Sequence, residues 1–266
     1  MAKAKVPKTA APKIRQSSTK PGRAPLVQAY RDIEAAGYRT WDQAEMRYLQ
    51  AMYDFDQLVV SGVADQGDVQ NGKGDFFNDV VSLLLERCSD KALFTRPNVP
   101  GLSFVRHDLD AAYPSEGLVE LIIETKAVGI PKHSRNPLQP NAEGRAGSAD
   151  LEKRIKEASF KNIDIKAERA RTEGKGGGAT QDLGDWMRSA PPKCYMLMAV
   201  RVRDQADLDK TRNFAHIAAT WFDRCGLYCY GLNDARTGYE PKNVRTTNLQ
   251  MDRVLSSVCT TLRNLP

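Results

Sequence analysis

Residues 118 to 126 read Leu-Val-Glu-Leu-Ile-Ile-Glu-Thr-Lys. The short apolar run Leu121, Ile122, Ile123, bounded by turn residues, predicts a buried strand. A strand sends alternate side chains to one face, so Glu124 and Lys126 share a side. Just upstream, Pro114-Ser115-Glu116-Gly117 predicts a tight turn, and before it an extended segment opened by Pro97 and Pro100 carries His107, Asp108 and Asp110. Asp108 and Asp110 are two residues apart and are expected on one strand face. Folding that segment back beside the strand brings acids and an amine together at one edge of a sheet. Two carboxylates can share a hard divalent cation such as Mg²⁺, which takes few carboxylates plus waters and phosphate oxygens. An amine beside them can orient an attacking water and hold charge at phosphorus, so the constellation suits phosphodiester hydrolysis.

The flanking sequence supplies the rest of an α/β pattern. Thr40-x-x-Gln43 has the form of a capping box, and Ala44, Tyr48, Ala51, Met52, Phe55 and Leu58 follow at helical spacing. Residues 64 to 75 read as a polar, Gly-containing loop. Asp75 then opens a second helix with the stripe Phe77, Val80, Val81, Leu84, Leu85. Beyond the hairpin, residues 149 to 173 are strong helix formers dense in charge. A strand at 194–202, a helix at 205–222, a strand at 226–232 and a terminal helix at 247–264 complete the pattern. The expected fold is α/β, a mixed central β-sheet flanked by helices on both faces.

The 266 residues suit one large domain. The 39 Lys and Arg outnumber the 33 Asp and Glu, and the excess sits in one place. Residues 1–25 hold Lys3, Lys5, Lys8, Lys13, Arg15, Lys20 and Arg23 with no acid, so the remaining chain is near neutral. That Pro-, Ala- and Ser-rich stretch is expected to be a disordered basic tail, either solubilising or a flexible arm that meets phosphates. Cys88, Cys194, Cys225, Cys229 and Cys259 show no metal-finger spacing and read as buried thiols in a reducing cytosol. No stretch approaches the roughly 20 apolar residues of a membrane span. Dinucleotide, P-loop, serine-hydrolase and zinc-protease motifs are also missing, which leaves little support for a small-molecule enzyme.

The pattern Asp110…Glu124-x-Lys126 on a hairpin resembles the PD-(D/E)xK nuclease superfamily, and type II restriction endonucleases within it. The amphipathic helix before the hairpin and the strand-helix-strand unit at 194–232 are similar in order to the common core of that family. The resemblance implies a restriction-endonuclease-like core and Mg²⁺-dependent cleavage of double-stranded DNA to 5′-phosphate and 3′-hydroxyl ends. It also implies a homodimer in the cytoplasm of a bacterial or archaeal cell. Asp110 and Glu124, with a carbonyl near Thr125, would bind metal, and Lys126 would orient the water or help deprotonate it. No proline precedes either acid, since Leu109 stands before Asp110 and His107 before Asp108. The choice between them stays open, with Asp110, nearer the turn, preferred. Family members often add an acid or amide from the preceding helix, which makes Asn78, Asp79 and Glu86 candidates. Glu120 could support Glu124 from outside the metal shell or be a solvated strand end. His107 and His133 could act as base, contact phosphate or cap a loop.

DNA contacts are expected from the loop and helix after the catalytic strand: Lys132, His133, Arg135, Asn136, Arg145, Lys153 and Arg154. The interleaved acids of 152–173 equally suit a solvated helix. The expected organisation is a tail over 1–25 and a single nuclease domain over 26–266. That domain comprises a helical part (26–90), a catalytic hairpin (97–130), DNA-contacting loops and helix (131–190), strand-helix-strand (194–232) and a terminal segment (233–266). Two rival readings use the same residues. One is a DNA repair or junction nuclease with the same site; the other is a non-catalytic DNA-binding protein in which the tail and basic helix act.

Overall fold

The computed structural model describes residues 12–16, 20–64, 66–114, 117–131, 146–174, 186–187, 189–242 and 246–266. Four helices open the chain: α1 (Lys13–Gln16), α2 (Ala24–Ala35), α3 (Trp41–Val60) and α4 (Gln66–Ser89). Short strands β1 (Phe94–Thr95), β2 (Asn98–Val99), β3 (His107–Asp108) and β4 (Ala111–Tyr113) lead into β5 (Leu121–Val128). Then come α5 (Ser148–Thr172), β6 (Lys193–Arg201), α6 (Gln205–Ala218), β7 (Arg224–Leu232), β8 (Tyr239–Lys242) and α7 (Met251–Asn264). The main sheet has six strands in the order β1-β4-β5-β6-β7-β8. Pairing is antiparallel from β4 to β5, parallel through β5, β6 and β7, and antiparallel again to β8. The fold is α/β with a mixed central sheet flanked by helices.

β5 lies inside the sheet because both its faces are apolar. Leu121 and Ile123 pack with the helical residues of α2, α3, α4 and α7, and Ile122 packs with Leu151, Ile155 and Ala158 of α5. Burial of such side chains stabilises by about 1.5–3 kcal/mol each. Where β5 ends, Gly129 adopts φ +87 and a Cβ there would meet the Arg201 carbonyl oxygen at 2.4 Å, so only glycine lets the chain leave here. No helix of the described residues is long and apolar enough to cross a membrane.

The expected elements hold with three corrections. Residues 66–75 are helical, not a loop: α4 begins at Gln66 because its polar side chains find partners far away in sequence. Asp68 receives Arg23 at 3.0 Å, Asp75 receives Arg23 at 3.1 Å, and buried Lys73 donates to Asp56 of α3 at 2.8 Å and to the Gly129 carbonyl at 3.0 Å. The same contacts shorten the tail. Residues 12–16 and 20–25 belong to the folded body, where Ile14 is fully buried, its N–H bonds Asp79 at 2.8 Å, and Arg23 is buried between two aspartates. Residues 1–11 and 17–19 of the expected tail lie outside the described residues. Not all cysteines are free: Cys88 of α4 and Cys259 of α7 pair as a disulfide, with Cα atoms 6.0 Å apart, while Cys194, Cys225 and Cys229 are buried thiols.

Candidate active site

The antiparallel pairing of β4 with β5 sets Ala111 opposite Ile123 and Tyr113 opposite Leu121. The ladder stops one residue before Asp110, and the Asp110 carboxylate takes over its role: Oδ2 accepts the Thr125 N–H at 2.7 Å. The Asp110 carbonyl accepts the Arg96 N–H at 2.9 Å and Asn78 Nδ2 at 3.2 Å, which fixes the chain at this bend. Glu124 and Lys126 follow on β5, and the Lys126 Nζ donates to Glu124 Oε2 at 2.9 Å, to the Thr125 carbonyl at 2.9 Å and to Asp110 Oδ2 at 3.3 Å. Two carboxylate oxygens and one carbonyl thus converge on a single positive charge.

Glu124 is buried, whereas Asp110 and Lys126 line a cleft of about 740 Å³ with Asn71, Asn78, Arg96 and Arg154. Burial pushes the Glu124 carboxyl above the usual glutamate range; Lys126 and Lys161 oppose that rise and Asp110 adds to it. Burial pulls the Lys126 ammonium down, but Glu124 and Asp110 outweigh it and hold the group above the ordinary lysine range. Lys126 thus favours its ammonium form among these oxygens.

Each residue singled out in the sequence has a definite place. Asp110, Glu124 and Lys126 come together. Asp108 does not join them as expected: it sits in the separate two-stranded sheet opposite Asn98, while Asp110 lies in the bend before β4, so the two acids share no strand face. Of the helix residues, Asn78 reaches the site, where its Oδ1 also accepts Thr125 Oγ1 at 3.4 Å. Asp79 instead pairs with Arg96 at 2.8 Å, and with Glu86 it lines a separate cavity. Glu120 is held by Arg169 at 2.7 Å. His107 faces Asp164 at 2.8 Å and anchors a loop. Lys132, His133, Arg135, Asn136 and Arg145 lie outside the described residues, as do 175–185 and 188 of the expected DNA-contacting segment.

The charged helix α5 is mostly neutralised within itself. Lys153 and Arg154 both approach Glu157, at 3.8 and 3.0 Å, although Arg154 also lines the cleft. One further cation of α5 reaches the site. Lys161 crosses from α5 to donate to the Asp108 carbonyl at 2.7 Å and lies 3.5 Å from Glu124 Oε1. Its spacing of seven from Arg154 puts the two on one helix face, a signal readable in the sequence.

The donor set suits a hard cation. Among the described residues no group of three or more His, Cys, Asp or Glu gathers as a metal site. Mg²⁺ needs no such cage, since it retains waters and takes phosphate oxygens beside one or two carboxylates. The oxygens of Asp110, Glu124 and Thr125 that now surround an ammonium fit that smaller requirement. No family model matches the chain, and no curated protein or solved structure does either.

Proposed function

We propose that the chain is a Mg²⁺-dependent DNA endonuclease of the restriction type, hydrolysing phosphodiester bonds to 5′-phosphate and 3′-hydroxyl ends. The observation that carries this reading is the convergence of Asp110 Oδ2, Glu124 Oε2 and the Thr125 carbonyl on one cation beside an open cleft. Asp110, Glu124 and the Thr125 carbonyl would hold the metal, which when bound lowers the pKa of a coordinated water and neutralises charge at the phosphate. Asn78, Arg96 and the Thr125 N–H keep the Asp110 carboxylate aimed at that point. Lys126 suits orientation of the attacking water, or help in deprotonating it, and stabilisation of negative charge at phosphorus. Arg154 on the cleft wall suits a backbone phosphate. Double-stranded DNA as substrate, a homodimeric assembly and a cytoplasmic location belong to the same proposal and rest on the family resemblance.

The test is incubation of unmethylated plasmid and phage DNA with the protein in Mg²⁺ and in EDTA, beside Lys126→Ala and Asp110→Asn. Discrete Mg²⁺-dependent fragments that vanish with either substitution are expected. Intact DNA with a Mg²⁺-independent gel shift, unchanged in both variants, refutes catalysis at this site and favours a binding protein.

A further inference from the structure

A short loop before β3 holds apolar rings out in solvent. Phe104 is 55% exposed and Val105 91%, and on α5 Phe160 is 47% exposed. The Phe104 and Phe160 rings meet edge to face, with centroids 5.6 Å apart. The loop is staked rather than loose. Asp164 of α5 accepts the Ser103 N–H at 2.8 Å and the Phe104 N–H at 3.3 Å, and it faces His107 Nε2 at 2.8 Å. The Leu102 N–H bonds the Asp164 carbonyl at 3.2 Å, and the Gly101 N–H bonds the Phe104 carbonyl at 3.0 Å. Gly101 is required, because a Cβ there would lie 2.0 Å from Asp164 Oδ2.

The ring pair adjoins the carboxylate site through neighbouring residues. Phe160 immediately precedes Lys161, whose ammonium lies 3.5 Å from Glu124 Oε1, and His107 immediately precedes Asp108, whose carbonyl that ammonium bonds. Arg106 is exposed on the same loop. An apolar aromatic surface with exposed Arg106 on its loop and Lys161 next along α5 matches a chain that alternates flat π-faces with negative charge. A second copy of this chain would bring the same cationic rim against itself.

We propose that Phe104 and Phe160 form a shelf for an unstacked nucleobase of the bound strand, with Lys161 and Arg106 meeting the adjoining phosphates. The inference rests on the nuclease reading and deepens it: the substrate is DNA whose bases are unpaired or locally opened beside the cut. A staked aromatic pair accepts any base, so the shelf favours open strands without reading sequence.

The test is fluorescence anisotropy in EDTA, comparing a labelled single-stranded oligonucleotide with one of equal length carrying a run of abasic sites. The protein is expected to bind the base-bearing strand about tenfold more tightly, the order expected of one stacked base. Phe104→Ala/Phe160→Ala is expected to abolish that preference while leaving binding of the abasic strand unchanged. Phe160→Leu keeps the apolar volume without the ring, is expected to weaken the preference as well, and serves if the double variant fails to fold. Equal binding of the two strands by the wild type, or a preference that survives both variants, overturns the proposal. So does a dimer in sedimentation that Phe104→Ala/Phe160→Ala splits while base preference persists. Cleavage in Mg²⁺ is read separately. A base preference with no cleavage refutes the nuclease and leaves the shelf standing, whereas cleavage with no base preference removes the shelf alone.

Discussion

Lys73→Met tests the buried charge cluster that ties the helical layer to the end of β5. Lys73 is 2% exposed and Asp56 is 0% exposed, with Nζ 2.7 Å from Oδ1 and 2.8 Å from Oδ2. Tyr239 Oη donates to the same aspartate, and Arg201 Nε lies 3.9 Å from it. Burial lowers the Lys73 pKa and Asp56 raises it in return, which marks a cation held inside only by its partner. Removing one member of such a pair costs about 3–5 kcal/mol, because the other charge is left buried. Arg201 and Tyr239 remain to share the Asp56 charge, so the lower end, about 3 kcal/mol, is expected. For a chain of this size that is a fall of about 6–10 °C in Tm. Asp56→Asn/Lys73→Met removes both charges of the pair but leaves buried Arg201 without that carboxylate, so only part of the loss is expected to be recovered. Thermal and urea unfolding followed by circular dichroism, analysed as a double-mutant cycle, measures the coupling directly. A loss below about 1 kcal/mol for Lys73→Met, or no coupling in the cycle, refutes the assignment.

Other substitutions probe separate devices. Burial and Asp42, in the first turn of the neighbouring helix, push the Asp252 carboxyl up to about 6, so the native state holds this proton more tightly than the unfolded chain does. Its contribution to stability is present below the unfolded value and lost as pH rises through about 6. Asp252→Asn should therefore melt about 2–4 °C higher than the wild type at pH 8, after discounting for its partial exposure, and close to it at pH 4. Gly101→Ala should destabilise by about 1–3 kcal/mol in urea titrations, because its methyl collides with Asp164. Gly74→Ala, in α4 with nothing within 4 Å of the added methyl, should instead stabilise by up to about 1 kcal/mol. Gln43→Ala removes the acceptor of the Arg39 and Thr40 N–H groups and should cost about 1 kcal/mol in the same assay, while Gln50→Ala on the exposed face of α3 should not.

The hairpin was legible because local signals agree: an apolar run, a Pro-Gly turn and alternating acids and amine. Thr40 and Gln43 announced α3 for the same reason, since a capping box is complete within four residues. Residues 66–75 misled because their helix depends on remote charges. Nothing near Asp68 or Lys73 in the chain discloses Arg23, Asp56 or the Gly129 carbonyl, and without those partners the segment is only polar and Gly-rich. The tail was misplaced by the mirror image of this effect, since Ile14 and Arg23 become core residues only once α4 is beside them. Asp108 and Asp110 looked equivalent because period two was extended across a bend. The structure breaks the strand at Leu109 and gives the Thr125 N–H to Asp110 alone. Lys161 shares a helix face with Arg154 by its spacing of seven, but only the packing of α5 on β5 aims it at Glu124.

The ammonium of Lys126 has a consequence for the resting protein. Held among Glu124, Asp110 and the Thr125 carbonyl, it acts as a built-in counter-ion, neutralising carboxylates that would otherwise repel each other at a buried strand end. The carboxylates thus carry their own positive charge within the fold, and EDTA should leave the melting temperature unchanged. On the proposed reading, a cation that took those oxygens would free the same lysine toward the cleft.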